Sequence, residues 1–290
     1  MQERRADRPA RWQCLGRACE VGRLLRVGDG PPRVAATRRG AGWRAASIDV
    51  APVADAAHRA ALAEHWREVA LLEHASVASF ARFTRQLLSL GAPITLVQEA
   101  SAAMRDEIEH ARLAFAVAAA YGDPSTPGTL DATRVTAGPP TRLEVARALI
   151  DEACVAETLG VAEALGAAEA CEDPAIRDVL EAIAGDELRH AALAWRSLRW
   201  LLTTSAQAER RQIAASLQAA LVDGARASST AVAPGRDDPR RGLLGPRRRH
   251  ELRRRALRQV IEPCARALLA AFAGDRPAAA PSVTCSIEHV

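Results

Sequence analysis

The chain has no lysine: all 39 of its basic residues are arginine, a bias read as base composition and given no functional weight. Aromatic residues make up 3% of the chain, with a single tyrosine, Tyr121. With Ala and Leu dominant, this scarcity favours close-packed helices over sheets. No apolar run reaches spanning length, and the Arg-rich N-terminal stretch lacks an apolar signal core. The expectation is a soluble, cytoplasmic protein with no membrane partner. The six cysteines (Cys14, Cys19, Cys154, Cys171, Cys264 and Cys285) show no Cys-x-x-Cys spacing, which excludes a metal knuckle or rubredoxin-type iron. A chain this long is no disulfide scaffold either, so most are expected to be reduced and buried.

At 290 residues there is enough chain for one sizeable core with extensions. The net charge is only +4, but Arg crowds the first 45 residues and the stretch 240–258. Residues 1–54 read as an Arg-rich, mostly irregular extension, disordered except for one short hairpin that Val21–Val27 and Arg33–Ala35 can form. Helical periodicity then governs 55–204, in four helices. The first runs near 55–90 and stops at Gly91-Ala92-Pro93. The second follows to about 121, with Thr95-x-x-Gln98 as a capping box. After a Pro- and Gly-rich link over 122–140, Thr141-x-x-Glu144 caps the third helix, and Asp173-Pro174 opens the fourth. Residues 205–273 add a helix near 205–223, a disordered link (Gly-Arg-Asp-Asp-Pro-Arg-Arg-Gly) and a last helix near 246–273. A tail covers 274–290.

The most informative feature is a repeat. Asp-Glu-Ile-Glu-His-Ala-Arg-Leu-Ala-Phe at 106–115 matches Asp-Glu-Leu-Arg-His-Ala-Ala-Leu-Ala-Trp at 186–195. Each copy holds Glu-x-x-His, Glu107 with His110 and Glu187 with His190, and three residues apart on a helix means one face. The repeat extends to the preceding helices, where Glu68-x-x-x-x-Glu73-x-x-Ser-Val-Ala aligns with Glu152-x-x-x-x-Glu157-x-x-Gly-Val-Ala. The chain thus carries a duplicated helical hairpin, each copy offering Glu on its first helix and Glu-x-x-His on its second. That is the ligand pattern of a di-iron or di-manganese helical bundle.

With 20 Glu and 7 His, chance supplies roughly half of one Glu-x-x-His, so one copy would mean little and two in register mean more. Flanking Ala, Leu, Phe and Trp place these segments in a core, where unneutralised carboxylates cost several kcal/mol each. Distance from the hairpin turns selects Glu73 and Glu157 as the carboxylates level with the motifs. Glu152, five residues earlier and so ~7.5 Å further along the axis, stands as the alternative to Glu157.

These residues give the chain a resemblance to the ferritin-like superfamily of di-iron carboxylate proteins, over roughly 55–203. It is most similar to bacterial ferritin-like domain proteins with a comparable Glu-His-Ala-Ser first helix and an upstream Gly-Arg-rich segment. The fold expected is all-α: a ferritin-like four-helix bundle of two hairpins joined by a long crossover, plus C-terminal helices. The resemblance implies that Glu107 and Glu187 bridge two Fe ions, or Mn, while Glu73 and Glu157 bind one each terminally. It also implies that Asp106 and Asp186 accept the free ring N–H of His190 and His110.

The activity expected is that of a non-haem oxidoreductase taking dioxygen or peroxide, an unknown substrate and an external reductant, as a monomer or dimer. Iron storage in a ferritin- or bacterioferritin-like shell stays open as the alternative. A tRNA hydroxylase-like role stays open behind it, with nucleic acid contacted through the basic stretch Arg247–Arg255. The lone Tyr121 disfavours a tyrosyl-radical generator. Trp66, Phe80, Cys154 and the alanines Ala100, Ala103, Ala111, Ala114, Ala191 and Ala194 read as core, and His74 as surface.

Overall fold

A computed structural model describes residues 23, 25, 26, 32–132, 139–227 and 235–272. The tail, most of the N-terminal hairpin and its turn, and Cys14, Cys19 and Cys285 lie outside them. The protein is mostly helical. Helix α1 (Ala56–Ser89) is capped by Asp55, which accepts from the backbone N–H of His58. Helix α2 (Ile94–Ala120) packs back along it. The second hairpin comprises α3 (Arg142–Leu149), a π-helical stretch at Ile150–Val155, α4 (Ala156–Ala170) and α5 (Pro174–Thr204). Helix α5 packs on both α4 and α2, joining the hairpins into a bundle. Helices α6 (Gln207–Ala227), α7 (Pro246–Ala256) and α8 (Glu262–Ala271) cover the second hairpin.

Sequence signals mark several of these ends. The Thr141/Glu144 capping box forms in both directions. The other expected box does not: α2 starts at Ile94 behind Pro93, so Thr95 is already inside the helix and its hydroxyl cannot take the capping geometry. The expected last helix is interrupted by a π turn at Leu257–Ile261, just before Pro263, whose missing N–H cannot continue the ladder.

The expectation of disorder fails in the N-terminal extension and in the link before α7. Arg23 and Leu25 are fully buried, and Ser76 donates its hydroxyl to the Arg23 carbonyl at 2.9 Å. The Arg33 N–H donates to the Leu25 carbonyl at 2.8 Å, linking the two stretches expected to form the hairpin, and beyond them strand β1 (Thr37–Arg39) pairs antiparallel with β2 (Ser125–Pro127) in the crossover. Trp43, Ile48, Val50 and Val53 pack on the core, and His74, expected at the surface, lies half-buried with its ring 4.6 Å from that of Trp43. The Gly-Arg-Asp-Asp-Pro-Arg-Arg-Gly link forms a single 3-10 turn at Pro239–Arg241. That turn closes on Gly242, whose φ of 77° is a left-handed conformation glycine adopts without strain. Of the described cysteines, Cys154 and Cys171 are free and buried, as expected of most of them, and Cys264 is disulfide-bonded.

Buried apolar side chains form two clusters. One gathers Phe80, Phe83, Leu149, Leu198 and Ile261; the other Leu62, Trp66, Phe115, Ile176 and Ile183. Along α1, α2, α4 and α5, the residues between these clusters are Glu73, Glu107 with His110, Glu157, and Glu187 with His190. The alanines flanking them on α2 and α5 (Ala103, Ala111, Ala191 and Ala194) are buried and let the helices approach closely. Among the described residues no helix is long and apolar enough to cross a membrane.

Asp173 ties three segments together. It accepts from the backbone N–H groups of Ala175 and Ile176 at the start of α5, and from that of Ala51 in the extension at 2.7 Å. Replacing it with Ala removes a helix cap and leaves a buried N–H unpaired, so Asp173→Ala should destabilise the chain by about 2 kcal/mol. Urea denaturation checks this; a loss below about 0.5 kcal/mol would mean that Asp173 holds nothing that water does not replace.

Candidate metal centre

Four helices deliver six side chains to the layer between the two apolar clusters. Glu73 comes from α1, Glu107 and His110 from α2, Glu157 from α4, and Glu187 and His190 from α5. All four carboxylates are 0% exposed, and the imidazoles are 1% and 3% exposed. Taking one donor atom per residue, Glu73, Glu107, His110 and Glu187 lie within 4.8 Å of one another, as do Glu107, Glu157, Glu187 and His190. Glu107 and Glu187 belong to both groups.

The histidines are oriented from outside. Nε2 of His110 lies 3.0 Å from Asp186, and Nε2 of His190 lies 3.2 Å from Asp106, each pair crossing between hairpins. That assigns Nε2–H as donor to the aspartate and leaves Nδ1 as a lone pair facing inward. Nδ1 of His110 sits 3.7 Å from both Glu107 and Glu187, and Nδ1 of His190 sits 3.2 Å from Glu107. Arg189 reaches both aspartates, pairing with Asp186 and approaching Asp106 at 3.5 Å.

The inward atoms face only one another. Both oxygens of Glu73, Glu107, Glu157 and Glu187, and Nδ1 of His110 and His190, are buried without a hydrogen-bond partner among the described residues. Native proteins leave few such atoms, and here ten converge on one place. Electrostatics register the same conflict. Burial pushes Glu73 well above the ordinary carboxylate range, aided by the charge of Glu107. Burial, with neighbouring acids, raises Glu187 well above that range and Glu157 to about 8. Burial would raise Glu107 as well, but the imidazoles of His110 and His190 outweigh it and hold its carboxyl low. Burial would lower the histidines, and their carboxylate partners override it, raising His190 to about 9. These buried Glu/His clusters can hold a metal ion, with carboxylate oxygen and imidazole nitrogen as donors.

Glu152, the alternative ligand, is elsewhere. It lies in the π-helical stretch and pairs with Arg82, which also donates to the Arg26 carbonyl at 2.7 Å. Cys154 is buried, and burial raises its thiol far out of the reactive range. Three neighbours escape a reading of the motifs alone. Phe80 sets its ring edge against His190, with centroids 5.0 Å apart. Arg23 lies over the Phe83 ring at 4.2 Å, and burial pulls its guanidinium down to about 10. Arg189 occupies the place held in the first repeat by Glu109, so the repeat itself conceals it. Of the basic stretch Arg247–Arg255, Arg249 is buried and Arg253 pairs with Glu163, while Arg247, Arg254 and Arg255 remain exposed.

Comparison with models of protein families, with curated proteins and with solved structures finds no match to this chain.

A carboxyl whose pKa is raised by folding holds a proton that the unfolded chain has released. Its contribution to stability is therefore full below the ordinary 4.5 and disappears as the pH climbs through the folded value, about 8 for Glu157. His190, raised from 6.5 to about 9, extends the same sign upward, while Glu107 has the opposite sign and acts only below 4.5. Chelator-treated protein should therefore melt at falling temperature as the pH rises from 4.5 to 9. Added Mn(II) should stabilise it more strongly over the same interval, because the ligands must deprotonate to bind. Calorimetric melts with and without chelator check this, and a chelated protein that gains stability toward high pH overturns it.

Proposed function

We propose that the chain is a ferritin-like di-iron or di-manganese carboxylate protein, acting as a non-haem oxidoreductase on dioxygen or peroxide. The observation that carries this reading is the convergence of ten partnerless donor atoms in two groups that share Glu107 and Glu187. Two divalent cations would cancel the four carboxylate charges, which a buried layer cannot otherwise hold. Glu73 and His110 would serve one ion, Glu157 and His190 the other, with Glu107 and Glu187 common to both. The two-hairpin bundle with its long crossover supports the ferritin-like assignment.

When bound, two iron ions would supply the redox chemistry that activates dioxygen or peroxide, with electrons from an external reductant. The rest falls to the chain. Asp106 and Asp186 fix the ring orientation of His190 and His110 and raise their basicity. Arg189, between these two acids, offsets the negative charge they bring to the rim of the site. Phe80 and the alanines of α2 and α5 keep water from the layer.

Anaerobic reconstitution with Fe(II) should give two irons per chain, and Glu107→Ala, which removes a ligand from both groups, should reduce this below one. The loaded protein should consume dioxygen or peroxide and elute from a sizing column as a monomer or dimer. Wild-type protein holding well under one iron would sink the metal reading. Elution as a large hollow shell that mineralises iron would replace the enzyme reading with storage.

A further inference from the structure

A cavity of about 50 Å³ lies between α1, α4 and α5, and helix register explains its position. Val69 and Trp66 precede Glu73 by four and seven residues, and Ile183 and Leu180 precede Glu187 by the same intervals. Those intervals are about one and two turns, so the four side chains stack on the same helix faces as the two carboxylates. The cavity therefore starts about one turn, ~6 Å, outside the metal layer, and Glu73 itself stands in its wall. On the α4 side the wall is Ala164 and Ala167, whose small side chains leave the space unfilled, and Gly242 and Leu244 complete it.

The wall is almost wholly apolar. Apart from Glu73, which belongs to the layer, its ionisable groups are engaged or neutral. Glu163 is paired with Arg253, and Arg249 is faced by Glu163, Glu68 and Asp237. Burial keeps His65 neutral by lowering it to about 4. Size narrows the guest further. One water needs ~10–15 Å³ by this measure, and apolar cavities of ~150 Å³ stay dry and take up benzene or xenon. A space of about a third of that is too small for an aromatic ring and large enough for a diatomic molecule. Peroxide is the poorer guest, because both its hydroxyls would give up hydrogen bonds to water for an apolar wall. Dioxygen has none to give up.

We propose that this cavity binds molecular dioxygen one helical turn from the metal layer, so that dioxygen and not peroxide is the oxidant delivered past Glu73. The functional half of this inference rests on the two-metal reading of the layer; the binding of a small apolar guest does not. Peroxide has a polar approach instead, the partly exposed rim where Asp106, Asp186 and Arg189 meet.

Xenon is the probe, since it is apolar and has no hydrogen bonds to make. Crystals of the full chain, chelated and Mn(II)-loaded, are pressurised with xenon, and xenon NMR follows binding in solution. Xenon should sit between Val69, Ala167 and Ile183 in both forms. Ala167→Leu, which fills the space, should remove it and keep the wild-type metal content, which also reports that the variant folds. In the Fe(II)-loaded chain the same variant should slow oxidation by dioxygen at least about tenfold and change oxidation by peroxide less than about twofold. A wild-type chain that binds no xenon there, or a variant that slows both oxidants alike or slows neither, overturns the proposal. The xenon result on the unmodified chain stands whether or not the variant folds. Xenon bound by a chain that takes up no metal would keep the apolar site and discard the two-metal reading, and dioxygen delivery with it. Two irons in a chain that binds no xenon would keep the metal reading and discard the cavity.

Discussion

Four carboxylates and two imidazoles in a buried layer set the terms for the rest of this structure. The bundle would have one continuous apolar core if Glu73, Glu107, Glu157 and Glu187 were leucines. Instead the core is divided into two clusters, and the polar layer separates them. Each cluster must then be completed separately. Helices α6 and α8 close the first, and the extension with the Leu243–Leu244 segment closes the second. The elements outside the four helices are thus a consequence of the layer inside them: a divided core needs cover at both ends.

The layer is assembled reciprocally. Each hairpin supplies an aspartate that orients the other hairpin's histidine, so neither half fixes its own imidazole. The aspartates precede their own Glu-x-x-His by one residue, which puts them on the adjoining edge of the same helix, facing across. Arg189 then breaks the symmetry. It comes from one repeat only and serves the aspartates of both. A duplicated sequence has therefore produced a site that is symmetric in its inward atoms and asymmetric in what surrounds them.

This division explains what could be read from the chain. The Glu-x-x-His pairs were legible because an i, i+3 spacing fixes a common helix face wherever the helix goes. Glu73 and Glu157 were reached through the repeat, which transfers a register from one hairpin to the other. Glu152 shows the limit of that transfer. It shares the repeat register with Glu68, but the π-helical stretch at Ile150–Val155 intervenes before Glu157, and its side chain meets Arg82. Arg23 was illegible for a different reason. Its burial depends on the surface that Phe80 and Phe83 leave uncovered, a property of the folded α1 and not of the aperiodic segment that carries Arg23. The Thr95 capping box failed because local chemistry competes, and the proline at position 93 starts the helix first.

The surroundings also decide from which side the layer can be reached. Beside the C-terminal half of α1, the flank is filled. Arg23 lies on Phe80 and Phe83, Arg82 joins Glu152, and the backbone of the extension accepts from Ser76 and Arg82. Two guanidiniums buried there could not be withdrawn without stranding Glu152, so this side is a fixed plug. Beside the N-terminal half of α1 the same helix presents Trp66 and Val69 to an apolar cavity that ends on Glu73. Gly242 and Leu244 line it together with Arg249 of α7, just after a short turn at Pro239–Arg241 that Arg241 ties to the carbonyls of Ala51 and Pro52. A turn fastened by a few surface hydrogen bonds opens at far lower cost than a packed helix. The layer is thus flanked by a fixed plug on one side and by a cavity partly walled by the residues after a short turn on the other.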